Sequence, residues 1–211
     1  MSRTVDWYFD YVSPFPYLQL ARFDSEMKKI IRPRPILFAA LLDHWGHKGP
    51  AEIPSKARHT YYLAHWLAKS RSVPFLMPPR HPFNPLALLR LTLSLGAGFE
   101  VVEIIYRHVW GQGNDGQSAD SLAALGEKLG VDDLETRTGD PAVKEKLKQS
   151  TAHAIERGVF GVPTLFLDGR LFWGEDATDM FRAYLKDPGL FDAPEFKRIE
   201  AVKPAAARRG A

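Results

Sequence analysis

The strand-turn-helix written into residues 5–30 constrains this chain more than any other stretch. Val5-Asp6-Trp7-Tyr8-Phe9 is an apolar and aromatic run that reads as a buried strand. Leu20, Phe23, Met27 and Ile30 then recur at helical spacing. Between them, Asp10-Tyr11-Val12-Ser13-Pro14-Phe15-Pro16-Tyr17-Leu18 makes Ser13 the N-cap of a helix with Pro14 at its first position. Such a turn aims backbone N–H groups and the positive end of the helix dipole at one point, where an anion, a thiolate included, is stabilised. Capping is the commonest work of a serine there, and this stretch alone asks for nothing more.

The far end of the chain adds to it. In Gly158-Val159-Phe160-Gly161-Val162-Pro163-Thr164-Leu165-Phe166-Leu167 a loop ends in Val-Pro and runs into an apolar strand, with a turn at Asp168-Gly169. An early strand-turn-helix and a late Val-Pro-Thr strand together resemble the thioredoxin fold, which implies that Pro163 is cis and faces the Ser13 turn. Redox members of that fold carry Cys-x-x-Cys at the turn. Here those positions read Ser13-Pro14-Phe15-Pro16, and the chain has no cysteine. Disulfide exchange needs a protein thiolate, so the chain cannot perform it alone. A sulfur used here must arrive with a bound thiol, whose ionised form a serine hydroxyl can favour.

Three stretches sharpen the likeness: Phe9-Asp10-Tyr11-Val12-Ser13-Pro14-Phe15, Val159-Phe160-Gly161-Val162-Pro163-Thr164, and Phe172-Trp173-Gly174-Glu175-Asp176. In this order they resemble the signatures of the 2-hydroxychromene-2-carboxylate isomerase family, a relative of kappa-class glutathione transferases and, more distantly, of DsbA-like oxidoreductases. The resemblance covers all but the tail. It implies an α/β chain: a thioredoxin-like sheet domain carrying a large all-helical insertion.

Periodicity agrees with that architecture. Ile36-Leu37-Phe38 reads as a second strand, parallel to the first because a helix joins them in a right-handed crossover. From about Ala39 to Gly158 helical spacing dominates. Tyr62, Leu63, Trp66 and Leu67 line one helix; Leu86, Leu89 and Leu93 a second; Val101, Ile104, Ile105 and Val109 a third; Leu122, Leu125 and Leu129 a fourth. Asp140-Pro141 starts another, with Gly158 as its stop. Thr164–Leu167 and Leu171–Trp173 form a hairpin, and a last helix runs from Gly174-Glu175-Asp176 through Phe181, Tyr184 and Leu185. The expected organisation is a first sheet segment at 1–45, a helical insertion at 46–157, a second sheet segment at 158–193 and a basic tail at 194–211.

Charge narrows the partners. The pI is near 9.1, yet five basic residues against two acidic ones lie beyond Pro194, leaving 23 of each sign in the body. A neutral body argues against a nucleic-acid surface. No run approaches the roughly 20 apolar residues of a membrane span, and no signal pattern opens the chain. With no cysteine to oxidise, the cytoplasm is the expected compartment.

The resemblance also assigns a site. It implies glutathione as cofactor, with Ser13 beside the sulfur, Val162 pairing through its backbone, and Trp173, Gly174, Glu175 and Asp176 around the γ-glutamyl end. The two acids equally suit ordinary first-turn dipole matching. It implies a small aromatic 2-keto acid as substrate, with Lys48, His81 and Asn84 in the loops expected near its carboxylate, although solvated loop charge explains Lys48 and Arg80 as well. A homodimer is implied, with Trp45 and Phe99 available to it. Three positions depart from the family pattern: Pro16, His47 and Glu52. The activity implied is glutathione-dependent cis–trans isomerisation of aromatic 2-keto acids in aromatic catabolism; the alternatives are a kappa-like glutathione S-transferase and a non-catalytic peptide-binding module.

Overall fold

The computed structural model describes residues 3–205. Four strands, β1 (Val5–Phe9), β2 (Ile31–Pro35), β3 (Thr164–Leu167) and β4 (Arg170–Trp173), form one sheet in the order β2-β1-β3-β4. β1 runs parallel to β2, with Val5 opposite Ile31 and Phe9 opposite Pro35. It runs antiparallel to β3, with Asp6 opposite Phe166 and Tyr8 opposite Thr164. All five residues of β1 are buried, as a central strand covered on both faces requires.

The second strand lies earlier than expected, over Ile31–Pro35 instead of Ile36–Phe38. Ile36 donates its N–H to the Phe9 carbonyl (3.0 Å), so the even-numbered residues face β1. Pro33 and Pro35, two apart, therefore turn their missing donors to the open edge, where proline is tolerated. The helix between the strands is also not continuous. It splits into α1 (Pro14–Leu20) and α2 (Ser25–Ile30), because Asp24 caps the second segment by accepting the Met27 N–H at 2.9 Å. Phe38 opens a helix, α3 (Phe38–His44), rather than closing a strand.

Between α3 and β3 stand α4 (Pro54–Ser70), α5 (Leu86–Ser94), α6 (Phe99–Tyr106), α7 (Ala119–Leu129), α8 (Leu134–Gly139) and α9 (Pro141–Glu156), with one π-helical turn over Arg107–Gly111. The short α8 has too few apolar residues to show a period. α4 buries its small side, Ala57, Ala64 and Ala68, and exposes Tyr62 and Trp66. After the hairpin come α10 (Thr178–Lys186) and α11 (Pro194–Glu200). The last opens the basic tail: proline starts a helix at Pro194, and Phe196 packs on Phe191 with ring centroids 5.1 Å apart. Arg208 and Arg209 of the basic tail lie outside the described residues.

Alternation along β1 divides the interior. Val5, Trp7 and Phe9 join the larger core with Phe23, Tyr106 and Trp110, while Tyr8 points to a smaller one with Ile36, Leu41, Ala154, Val159 and Val162. Trp7 stacks on Phe9 at 4.7 Å and meets Phe23 edge-on. Phe99 packs beside this indole at 6.2 Å, so it is not the surface aromatic it was expected to be. No helix among the described residues is long and apolar enough to cross a membrane.

Candidate active site

The strand register positions the site. Because Tyr8 faces Thr164 in an antiparallel pair, the turn after Phe9 and the loop before Thr164 leave the sheet at the same edge. Ser13 sits on that turn as N-cap of α1, half-buried, and its side chain accepts no capping hydrogen bond. The hydroxyl is thus uncommitted among the described residues, which removes the plain capping explanation. Pro14 and Pro16 lack N–H groups, so Phe15 is the only one of the first three helical residues that can donate. This corrects the expected crown of donors to one amide and one hydroxyl.

The turn itself is rigidly held. Asp10 is fully buried; one carboxylate oxygen accepts the Val12 N–H (3.0 Å) and the other the Phe38 N–H (2.9 Å). Its carbonyl accepts from Ser13 N–H and from the Tyr106 hydroxyl, both at 3.1 Å. Burial pushes the Asp10 carboxyl up to about 7, against the two N–H bonds that favour its ionised form. The Trp110 indole donates to the Tyr11 carbonyl (2.8 Å), and His81 Nε2 lies 2.7 Å from the Val12 carbonyl.

Across from the turn, the Val162–Pro163 peptide bond is cis. The Val162 N–H and C=O lie beyond the last ladder pair and take no partner among the described residues. Since buried backbone groups are nearly always paired, these two mark a place for an extended ligand. The pairing continues past the loop: Gly174 N–H donates to the Pro163 carbonyl at 2.9 Å. Gln19 of α1 donates to the Gly174 carbonyl (3.0 Å) and Thr178 (3.1 Å) while accepting from the Trp7 indole (2.7 Å). Gly161 is needed because a Cβ there would strike the Trp173 indole, which is half exposed and lies against Phe160 at 4.9 Å.

The two acids divide. Glu175 is buried and bound by Arg22 (2.8 Å) and by both Nη atoms of Arg71, so its carboxylate is spent. Asp176 is exposed and carries no ion pair among the described residues. Arg22 and Arg71, unforeseen in the sequence, join the sheet domain to the end of α4. Neither arginine stands at a motif position, which is why the sequence hid them.

The substrate-side residues are treated unequally by the fold. Lys48 is exposed, on the loop after α3, and Trp45 of that loop donates to the Val159 carbonyl (2.9 Å), bringing it beside the Val162 segment. Glu52 accepts the Gly49 N–H and so closes this loop. His81 is half-buried; its Nε2–H donates to Val12 and its Nδ1 accepts from the Tyr61 hydroxyl (2.9 Å), an arrangement that fixes one neutral tautomer. Burial holds the imidazole below its ordinary value. It therefore serves the turn. The Asn84 side chain bonds locally, its Oδ1 accepting from Leu86 N–H (3.0 Å), while its backbone N–H donates to Gln117 Oε1 (2.7 Å). A separate groove of about 430 Å³, lined among others by Phe99, Arg107, His108 and Lys128, contains none of these residues.

The DSBA-like thioredoxin domain matches residues 4–186. The chain is 30% identical over 198 residues to the 2-hydroxychromene-2-carboxylate isomerase of Sphingobium xenophagum, covering 89% of this chain and all of that one. The chain belongs to the 2-hydroxychromene-2-carboxylate isomerase family, on the DsbA-like thioredoxin fold. A solved 2-hydroxychromene-2-carboxylate isomerase superposes with a TM-score of 0.79 at 26% identity, covering 95% of this chain and 100% of that one. Human glutathione S-transferase kappa 1 is 23% identical over 218 residues, covering 92% and 96% of the two chains. These relatives support an isomerase- or transferase-type enzyme, and the expected fold class is borne out.

Proposed function

We propose that this protein is a glutathione-dependent cis–trans isomerase of aromatic 2-keto acids of the 2-hydroxychromene-2-carboxylate type, working in aromatic catabolism in the reducing cytoplasm. The observation that carries the reading is the uncommitted Ser13 hydroxyl at the same end of the sheet as the unpaired Val162 backbone, in a chain with no cysteine of its own. The residues present fit an extended thiol tripeptide. Val162 would pair with it as a strand does, and Asp176 would hold its amino group while Glu175 keeps Arg22 and Arg71 in place. Trp173 offers an apolar wall to the same segment.

Glutathione, when bound, supplies a nucleophile that adds reversibly to the carbonyl-conjugated carbon, so that the double bond can turn before elimination restores it. Ser13 donates to the sulfur and favours its ionised form; Phe15 N–H is the second donor within the turn. Lys48, on the loop beside Val159, is the cation we assign to the substrate carboxylate. A homodimer is the assembly we propose on the likeness to this family, with Tyr62 and Trp66 as the aromatic surface available to it.

The test is conversion of the chromene acid with and without added glutathione. Turnover that requires glutathione and is lost in Ser13→Ala supports the isomerase. Conjugation of an aryl halide without isomerisation would make the protein a kappa-like transferase instead.

A further inference from the structure

Among the described residues, Asp10 is the one fully buried carboxylate in the neighbourhood of Ser13, and no cation faces it. The ionisable groups around it are the phenols of Tyr11 on the same turn and Tyr106 of α6, both raised by burial, with neutral His81 behind the Val12 carbonyl. Its two oxygens reach different elements. Val12 N–H belongs to the turn that carries Ser13; Phe38 N–H is the first amide of α3, whose cap residue Leu37 has no side-chain acceptor to offer. The far end of α3 leads into the loop with Lys48. A charged carboxylate in a dry core is costly, and here that cost is set against the two backbone N–H groups it satisfies, one on each element.

We propose that Asp10 is the positioning residue of this site: its carboxylate ties the Ser13 turn to the head of α3, and only the ionised form holds both ends. A carboxylate accepts strongly at both oxygens, whereas in the acid the hydroxyl oxygen is a much weaker acceptor and one tie loses its charge assistance. Protonation therefore slackens the turn against α3. The consequence for catalysis rests on the function proposed above; the tie itself does not.

Two readouts separate the tie from the function. In the protein without glutathione, the backbone amide resonances of Val12 and Phe38 are followed by NMR from pH 5 to 9. They should move together with one midpoint near the value at which burial holds Asp10, and that step should vanish in Asp10→Asn. In the presence of glutathione and substrate, Asp10→Asn should lower kcat by about tenfold, as the loss of one charge-assisted hydrogen bond implies, and erase the same limb of the pH–rate profile. Phe38→Pro is the second variant: it deletes the donor at a helix position that proline suits, and, because that N–H favours the carboxylate, should move the Val12 step to higher pH even where Asp10→Asn does not fold. Amides that fail to titrate together, or an Asp10→Asn enzyme with an unchanged profile, overturn the proposal. Absence of any glutathione-dependent turnover in the wild type would overturn the proposed function while the amide titration still decides the role of Asp10.

Discussion

His81 Nε2 lies 2.7 Å from the carbonyl oxygen of Val12, so a loop of the helical insertion holds the backbone immediately before Ser13. Tyr61 completes the arrangement from α4 by donating to Nδ1. The turn is therefore built jointly by the sheet domain and the insertion.

Removing this clamp should cost both stability and rate. His81→Ala deletes a partly buried donor and leaves the Val12 carbonyl unpaired, a loss of about 1–3 kcal/mol. Because burial lowers the imidazole's pKa in the folded state, its contribution is complete above 6.5 and declines as pH falls below it. Urea unfolding of wild type and His81→Ala at several pH values checks this; equal stability above 6.5 would refute the clamp. Tyr61→Phe should act in the same direction and more weakly.

Glu175 sits between two arginines, and neutralising it leaves both uncompensated. Glu175→Gln should lower stability by about 3–5 kcal/mol, the range for breaking a buried pair. Thermal denaturation measures it. A variant as stable as wild type would mean that solvent screens the cluster.

Asp176 makes the opposite case. Being exposed and unpaired, its loss should leave the melting temperature in place. Asp176→Ala should weaken glutathione binding by roughly tenfold, as removal of one charge-assisted hydrogen bond implies. Calorimetry separates the two acids: a larger loss of affinity in a fully folded Glu175→Gln than in Asp176→Ala would reverse their roles.

Asp10 imposes a pH dependence of its own. Burial raises its carboxyl from 3.8 to about 7, so the folded chain keeps a proton that the unfolded chain has lost. The group therefore contributes less stability as pH rises across that window, by roughly 4 kcal/mol in all, and no further change above it. Asp10→Asn should gain on the wild type by a few kcal/mol between the two pH values. A difference that stays flat would contradict the burial.

The sheet and the Ser13 turn were legible because each rests on local rules. An aromatic run, a Ser-Pro and a Val-Pro-Thr are written in adjacent residues, and Asp168-Gly169 announces its own hairpin. β2 was misplaced because Ile36-Leu37-Phe38 is the more apolar segment, while Arg32-Pro33-Arg34-Pro35 hides an edge strand in alternate prolines. The supports of the site were not legible. His81, Tyr61, Arg22 and Arg71, and the Phe38 amide on Asp10, meet the turn or its neighbours across long sequence separations, and no local period records such contacts. Phe99 reads as an exposed aromatic at a helix start, yet packing against Trp7 partly covers it.

The account stands on a sulfur held ionised by Ser13. The direct measurement is the ultraviolet thiolate band of glutathione bound to the wild type and to Ser13→Ala, followed against pH. The wild type should show the band at neutral pH, and Ser13→Ala should move its midpoint upward by about one to two units. The same midpoint in both proteins, or no band in either, would contradict it.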